Sequence, residues 1–160
     1  MPGNRFGMVR VQHQGKGIDM QVKPTVGLEI PGRGVITDLT FAKVAEVIIA
    51  PIDKSAGERR IAFPRLSMSK LRGIYSLITN IHARVNKPED LEACMSDLQY
   101  IKVKMAYESG RERNQDVKEF ISQTYLMILL DQIQTYEQFV LYCRYAESLV
   151  AYFKFYGGKE

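Results

Sequence analysis

Between Ser67 and Lys87 the sequence SMSKLRGIYSLITNIHARVNK repeats its apolar residues with the period of an α-helix. At about 100° per residue, Leu71, Ile74, Ile78, Ile81 and Val85 fall within an arc of roughly 80°, with Tyr75 and His82 at its margin. One stripe this regular requires a partner surface, so the stretch predicts a central helix packed into a bundle. Lys70, Arg72, Arg84 and Lys87 spread over the opposite face, among Gly73, Ser76, Asn80 and Ala83. No Asp or Glu occurs in the stretch. A solvated helix face ordinarily mixes both signs, because i,i+4 pairs support the helix and like charges oppose it. An all-basic face with small residues between its charges suits a large anion lying across it. The plainer alternative is an ordinary surface that happens to be cationic.

The rest of the chain supplies the partners. Thr37 or Asp38 starts a short amphipathic helix with Leu39, Val44, Val47 and Ile48, stopped at Pro51. Residues 52–66 read as a connecting loop with the basic pair Arg59 and Arg60. After the central helix, Asn86, Pro88 and the acids Glu89, Asp90 and Glu92 mark a new helix start. Its core stripe is Leu91, Cys94, Leu98, Ile101 and Met105, and Gly110 ends it. Asn114 caps a fourth helix with Val117, Phe120, Ile121, Tyr125, Ile128 and Leu129 inward. Thr135 and Gln138 form a capping box for the last helix, which stops at Gly157 and Gly158. The expectation is an all-α, compact five-helix bundle over residues 37–160. Residues 1–36, rich in Gly and containing Pro2, Pro24 and Pro31, are expected to form an irregular arm or a weak hairpin.

Charge is local. Of 22 Lys and Arg and 18 Asp and Glu, ten and six lie up to Leu66, leaving twelve of each from Ser67 onward. The helical part is neutral overall, so its basic face is a patch. A second basic group follows in IKVKMAYESGRER, Ile101 to Arg113, where Lys104, Glu108 and Arg111 share a face and Lys102 points elsewhere. Glu108 is expected to pair with Lys104 or Arg111. If the second and third helices run antiparallel, Lys70, Arg72, Lys104, Arg111 and Arg113 gather at one end of the bundle. Such a cluster neutralises phosphates without reading bases.

Catalytic motifs are absent: there is no HExxH, CxxC, Walker lysine or nucleophile elbow. His13 lies in the Gly-rich arm, and His82 reads as a core histidine. Cys94 and Cys143 fit neither a disulfide framework nor a metal site and read as buried free thiols, as in a reducing cytoplasm. No apolar run spans a bilayer. No enzymatic activity, metal or cofactor and no membrane association are expected. The last helix carries Tyr136, Phe139, Tyr142, Tyr145, Tyr152, Phe153, Phe155 and Tyr156. Core packing plus a subunit contact accounts for them better than a base-stacking platform.

Three blocks, SKLRGIYSLI, LQYIKVKMAYESGR and YAESLVAYFKFYGGKE, in that order, resemble the small subunit of the type III-A CRISPR effector (Csm) complex. AEVII in the first helix is a weaker echo. The resemblance covers Asp38 to the C-terminus and says nothing of residues 1–36. It implies a five-helix bundle without catalytic activity, stacked head to tail in several copies opposite the backbone subunits that hold the guide RNA. The implied partners are target RNA and the guide–target duplex, further copies of the chain, and the backbone and large subunits. Carried over, Lys70, Arg72, Lys102, Lys104 and Arg111 would contact the RNA backbone. Arg84 and Lys87 rest on the helical wheel, and Arg113 on the cluster. Two rivals stand beside this reading: a helical interaction module docking an acidic protein, and a small all-α enzyme with an Arg/Lys anion pocket.

Overall fold

The computed structural model describes residues 26–160. Expectations for residues 1–25, His13 among them, lie outside the described residues. The chain opens with a hairpin of β1 (Gly27–Ile30) and β2 (Gly34–Thr37), in which Leu28 faces Ile36 and Glu29 faces Val35. The turn between them places Gly32 at φ 72° and Gly34 at φ 103°, a region that glycine enters at no steric cost. Alternation then sorts the side chains. Leu28, Ile30 and Ile36 are buried in the main core, while Glu29 and Val35 face out. The C-terminal end of the expected arm is therefore a hairpin built into the core.

Helix α1 (Phe41–Ile49) buries Ala45, Ile48 and Ile49 against α6 (Tyr136–Phe155). It begins later than Thr37, and Leu39 and Val47 are exposed instead of inward. The loop after it carries a two-residue ribbon, β3 (Ile52–Asp53) with β4 (Glu58–Arg59). Arg59 reaches back to α1, bonding the Ala50 carbonyl at 2.9 Å and Glu46 at 3.0 Å. A hydrogen bond from the Tyr156 hydroxyl, with Arg59 and Lys43 adding to it, holds the Glu46 carboxyl below its ordinary range. Phe63 and Leu66, farther along the same loop, are buried.

Helix α2 (Met68–His82) is capped by Ser67, whose hydroxyl accepts from the Lys70 amide. Its inward residues are Met68, Leu71, Ile74, Ile78 and Ile81, matching the predicted stripe. It ends earlier than expected, at His82, and the chain is extended again just before Pro88. A residue before proline is pushed to extended geometry, and Lys87 sits at φ −152°, ψ 163°. Arg84 and Lys87 thus lie in the turn after α2. Helix α3 (Pro88–Gly110) has proline and two acids in its first turn, and buries Leu91, Cys94, Leu98, Ile101 and Met105 as predicted.

The expected fourth helix is two. Helix α4 (Asp116–Thr124) and α5 (Leu126–Leu130) are separated by Tyr125 in the left-handed region, φ 62°. The break turns Ile128 outward while Leu126, Leu129 and Leu130 stay in. Two fully buried tyrosines of α6 serve it: Tyr145 donates to the Thr124 carbonyl and Tyr142 to the Leu126 carbonyl, both at 2.7 Å. Among the described residues the fold is six helices with two small antiparallel ribbons, mostly helical and close to the five-helix bundle expected, with the fourth helix split in two and a hairpin at the end of the arm.

Helix α6 starts with the predicted capping box of Thr135 and Gln138. After it, Gly157 at φ 79° turns the chain back. A Cβ on Gly158 would run into the Phe153 ring. The Lys159 carbonyl then accepts from the Met68 amide at 2.7 Å, so the YGGK ending fastens the head of α2.

Candidate nucleic-acid interface

Helices α2 and α3 run antiparallel, as ion pairs at their two ends demonstrate. Arg84, just beyond α2, meets Asp97 of α3 at 3.4 Å, and Lys70 meets Glu112, just beyond α3, at 2.9 Å. The outward sides of the two helices enclose an open groove of about 650 Å³. Lys70, Gly73 and Leu77 line it from α2, and Tyr100, Val103, Lys104 and Tyr107 from α3. Arg111 and Glu112 close it at the end nearest the start of α2. Three of the five cations expected at one end of the bundle, Lys70, Lys104 and Arg111, therefore share one groove.

The eight candidate cations differ in their surroundings. Lys70, Arg84, Lys102 and Arg111 are paired within the chain. Lys102 holds both oxygens of Asp131 at 2.8 Å, off the groove, and this hydrogen bond lowers the Asp131 pKa. Arg111 pairs with Glu108 at 3.2 Å, as the i,i+3 spacing suggested. Among the described residues Lys104 has no carboxylate partner, and it sits over the Tyr100 ring, 5.1 Å from its centroid. Arg72, Lys87 and Arg113 are exposed and make no ion pair among the described residues. Arg72 points away from the groove lining, and Lys87 lies at the opposite end of the helix pair.

Two features of this face escaped the sequence reading. Tyr100, Val103 and Tyr107 are exposed at 58, 59 and 66 % on one side of α3. Their signal was present, since they fall opposite the predicted core stripe. The second is Glu112, most of whose side chain is buried beside Lys70 and whose Oε2 has no hydrogen-bond partner among the described residues. His82, expected at the core margin, is exposed with its ring edge-on to Phe139 at 5.8 Å. Both cysteines are free and buried, and burial, with Glu147 nearby, pushes the Cys143 thiol up to about 12. Among the described residues no His, Cys, Asp and Glu cluster is able to hold a metal ion, and no helix is long and apolar enough to cross a membrane.

These features define a small, mostly helical bundle with an open groove lined by cations and tyrosines. Residues 41–159 match the family model described as Csm2 Type III-A. The chain is 40% identical over 130 residues to the CRISPR system Cms protein Csm2 of Enterococcus italicus, covering 77% of this chain and 91% of that protein. It is 32% identical over 126 residues to the protein of the same description from Streptococcus thermophilus, covering 79% and 98%. The chain belongs to the Csm2 type III-A family.

Proposed function

We propose that this chain is a non-catalytic structural subunit of a type III-A CRISPR interference complex in the cytoplasm, holding RNA by its phosphate backbone without regard to sequence. The observation that supports it most is the convergence of Lys70, Lys104 and Arg111 on one groove between antiparallel helices. Exposed Arg72 and Arg113 extend the cationic surface beyond that groove. Phosphate contacts position a nucleic acid but carry no sequence information, which is what a scaffold serving many guides requires. In this reading several copies stack in a row beside the backbone and large subunits and frame the guide–target duplex. Each copy supplies few contacts, and the row multiplies them. An anion pocket for a small metabolite fits less well, because the groove is open along its length and does not enclose its cations.

The test is fluorescence anisotropy with two unrelated RNA sequences at low and moderate salt, with an acidic polypeptide as competitor. Weak binding, equal for both sequences and falling steeply with salt, is expected. The double variant Lys70→Glu, Arg72→Glu should weaken it with helical circular dichroism unchanged. Binding of the polypeptide but not of RNA would replace this reading with that of a module for an acidic protein.

A further inference from the structure

The backbone reading leaves the tyrosines of α3 unused. An A-form duplex offers phosphates and 2′-hydroxyls, while its bases stay stacked inside. Exposed aromatic faces beside cations match unpaired nucleotides, whose bases stack on them whatever their identity. Tyr100, Lys104, Tyr107 and Arg111 occupy one line along α3, at i, i+4, i+7 and i+11. Tyr100 and Tyr107 are two turns apart, roughly 10 Å along the axis at about 1.5 Å per residue. That is too far to sandwich one base and suits two. Lys104 lies on the turn between them, its ammonium beside the Tyr100 ring, and as the groove lysine with no carboxylate partner among the described residues it is available to a phosphate. On the facing helix Gly73 leaves open space where a side chain would stand, which recesses that wall. The groove volume of about 650 Å³ lies in the range that accepts small organic groups.

We infer that the α2–α3 groove is a stacking platform for unpaired RNA, with Tyr100 and Tyr107 each taking one base and Lys104 the phosphate between them. The inference rests on the RNA reading above and narrows it to single-stranded segments. It gives a use to apolar surface that a soluble domain seldom leaves open without a partner.

The test compares, on the full chain, three probes: a short single-stranded RNA, an abasic strand of the same length and charge, and an RNA duplex. The base-bearing strand should bind tighter than the abasic one by on the order of tenfold per stacked base. Tyr100→Leu and Tyr107→Leu should each shrink that difference, leave abasic binding as it was, and leave the thermal melt unchanged. A strand carrying 2-aminopurine should lose fluorescence on binding to the unaltered chain and less so with either variant. Equal binding of base-bearing and abasic strands would overturn the stacking platform while leaving the phosphate reading intact. Absence of binding to all three probes would overturn both. Binding to the duplex alone would keep the backbone reading and discard the platform.

Discussion

Aromatic residues do opposite work in α6 and α3. In α6, Phe139, Tyr142, Tyr145 and Phe153 are fully buried, and the two tyrosine hydroxyls bond the carbonyls on either side of the α4–α5 break. In α3, Tyr100 and Tyr107 lie more than half exposed, and no hydrogen bond of either hydroxyl is formed among the described residues. The same residue type is a structural strut in one helix and free surface in the other. The difference arises from the apolar stripe beneath: α3 already fills its inward face with Leu, Ile, Met and Cys, which leaves its tyrosines outside.

The sharpest way to break that comparison is truncation. Phe139→Ala should cost about 3–5 kcal/mol in urea unfolding, whereas Tyr107→Ala should stay within about 0.5 kcal/mol. Similar losses at both positions would mean that the α3 face is part of the folding core. Next comes Tyr145→Phe, which keeps the ring and deletes the hydroxyl bond to Thr124. A loss of about 1–2 kcal/mol is expected, since a buried bond is removed next to a backbone strained at Tyr125.

A chemical probe reads the buried side without mutation. With the Cys143 thiol pushed up to about 12 by burial, almost none is thiolate at mildly alkaline pH. A thiol-specific alkylating reagent should therefore leave Cys143 untouched in the folded chain and modify it in urea. Rapid modification of the native protein would place this part of α6 in frequent contact with solvent. The smallest expected effect belongs to the exposed side. Glu112→Gln should barely alter the melt but release Lys70 from its carboxylate. If RNA lies along this groove, affinity at low salt rises and the salt slope steepens by about 0.7, one single-strand phosphate.

How far sequence anticipated this molecule depends on the reach of each signal. Ser67, Pro88 and the Thr135–Gln138 box are local, so three helix starts and the inward stripes of α2 and α3 could be read from the chain. The left-handed Tyr125 could not, because neither glycine nor proline marks it and its supports come from α6. Pro88 did carry the warning that no helix continues through Lys87, and a wheel extended to Lys87 overran it. At the candidate interface, the meeting of Lys70 with the end of α3 followed from the antiparallel pairing. That Lys70, Arg84 and Lys102 have carboxylate partners did not, since Glu112, Asp97 and Asp131 are distant in sequence from the residues they meet.

Gln132, in the connection between α5 and α6, has a bearing on what the hairpin can pair with. Its side-chain amide donates to the Glu29 carbonyl and accepts from the Glu29 amide, both at 2.6 Å, and Gln138 donates to the Gly27 carbonyl. Two glutamine side chains thus stand where a third strand would pair with β1. A strand edge with free amides and carbonyls is a template for adding foreign strands, and sheets without such cover tend to aggregate. With this edge of β1 occupied from within, the hairpin can sit in a crowded assembly without recruiting its neighbours through sheet extension.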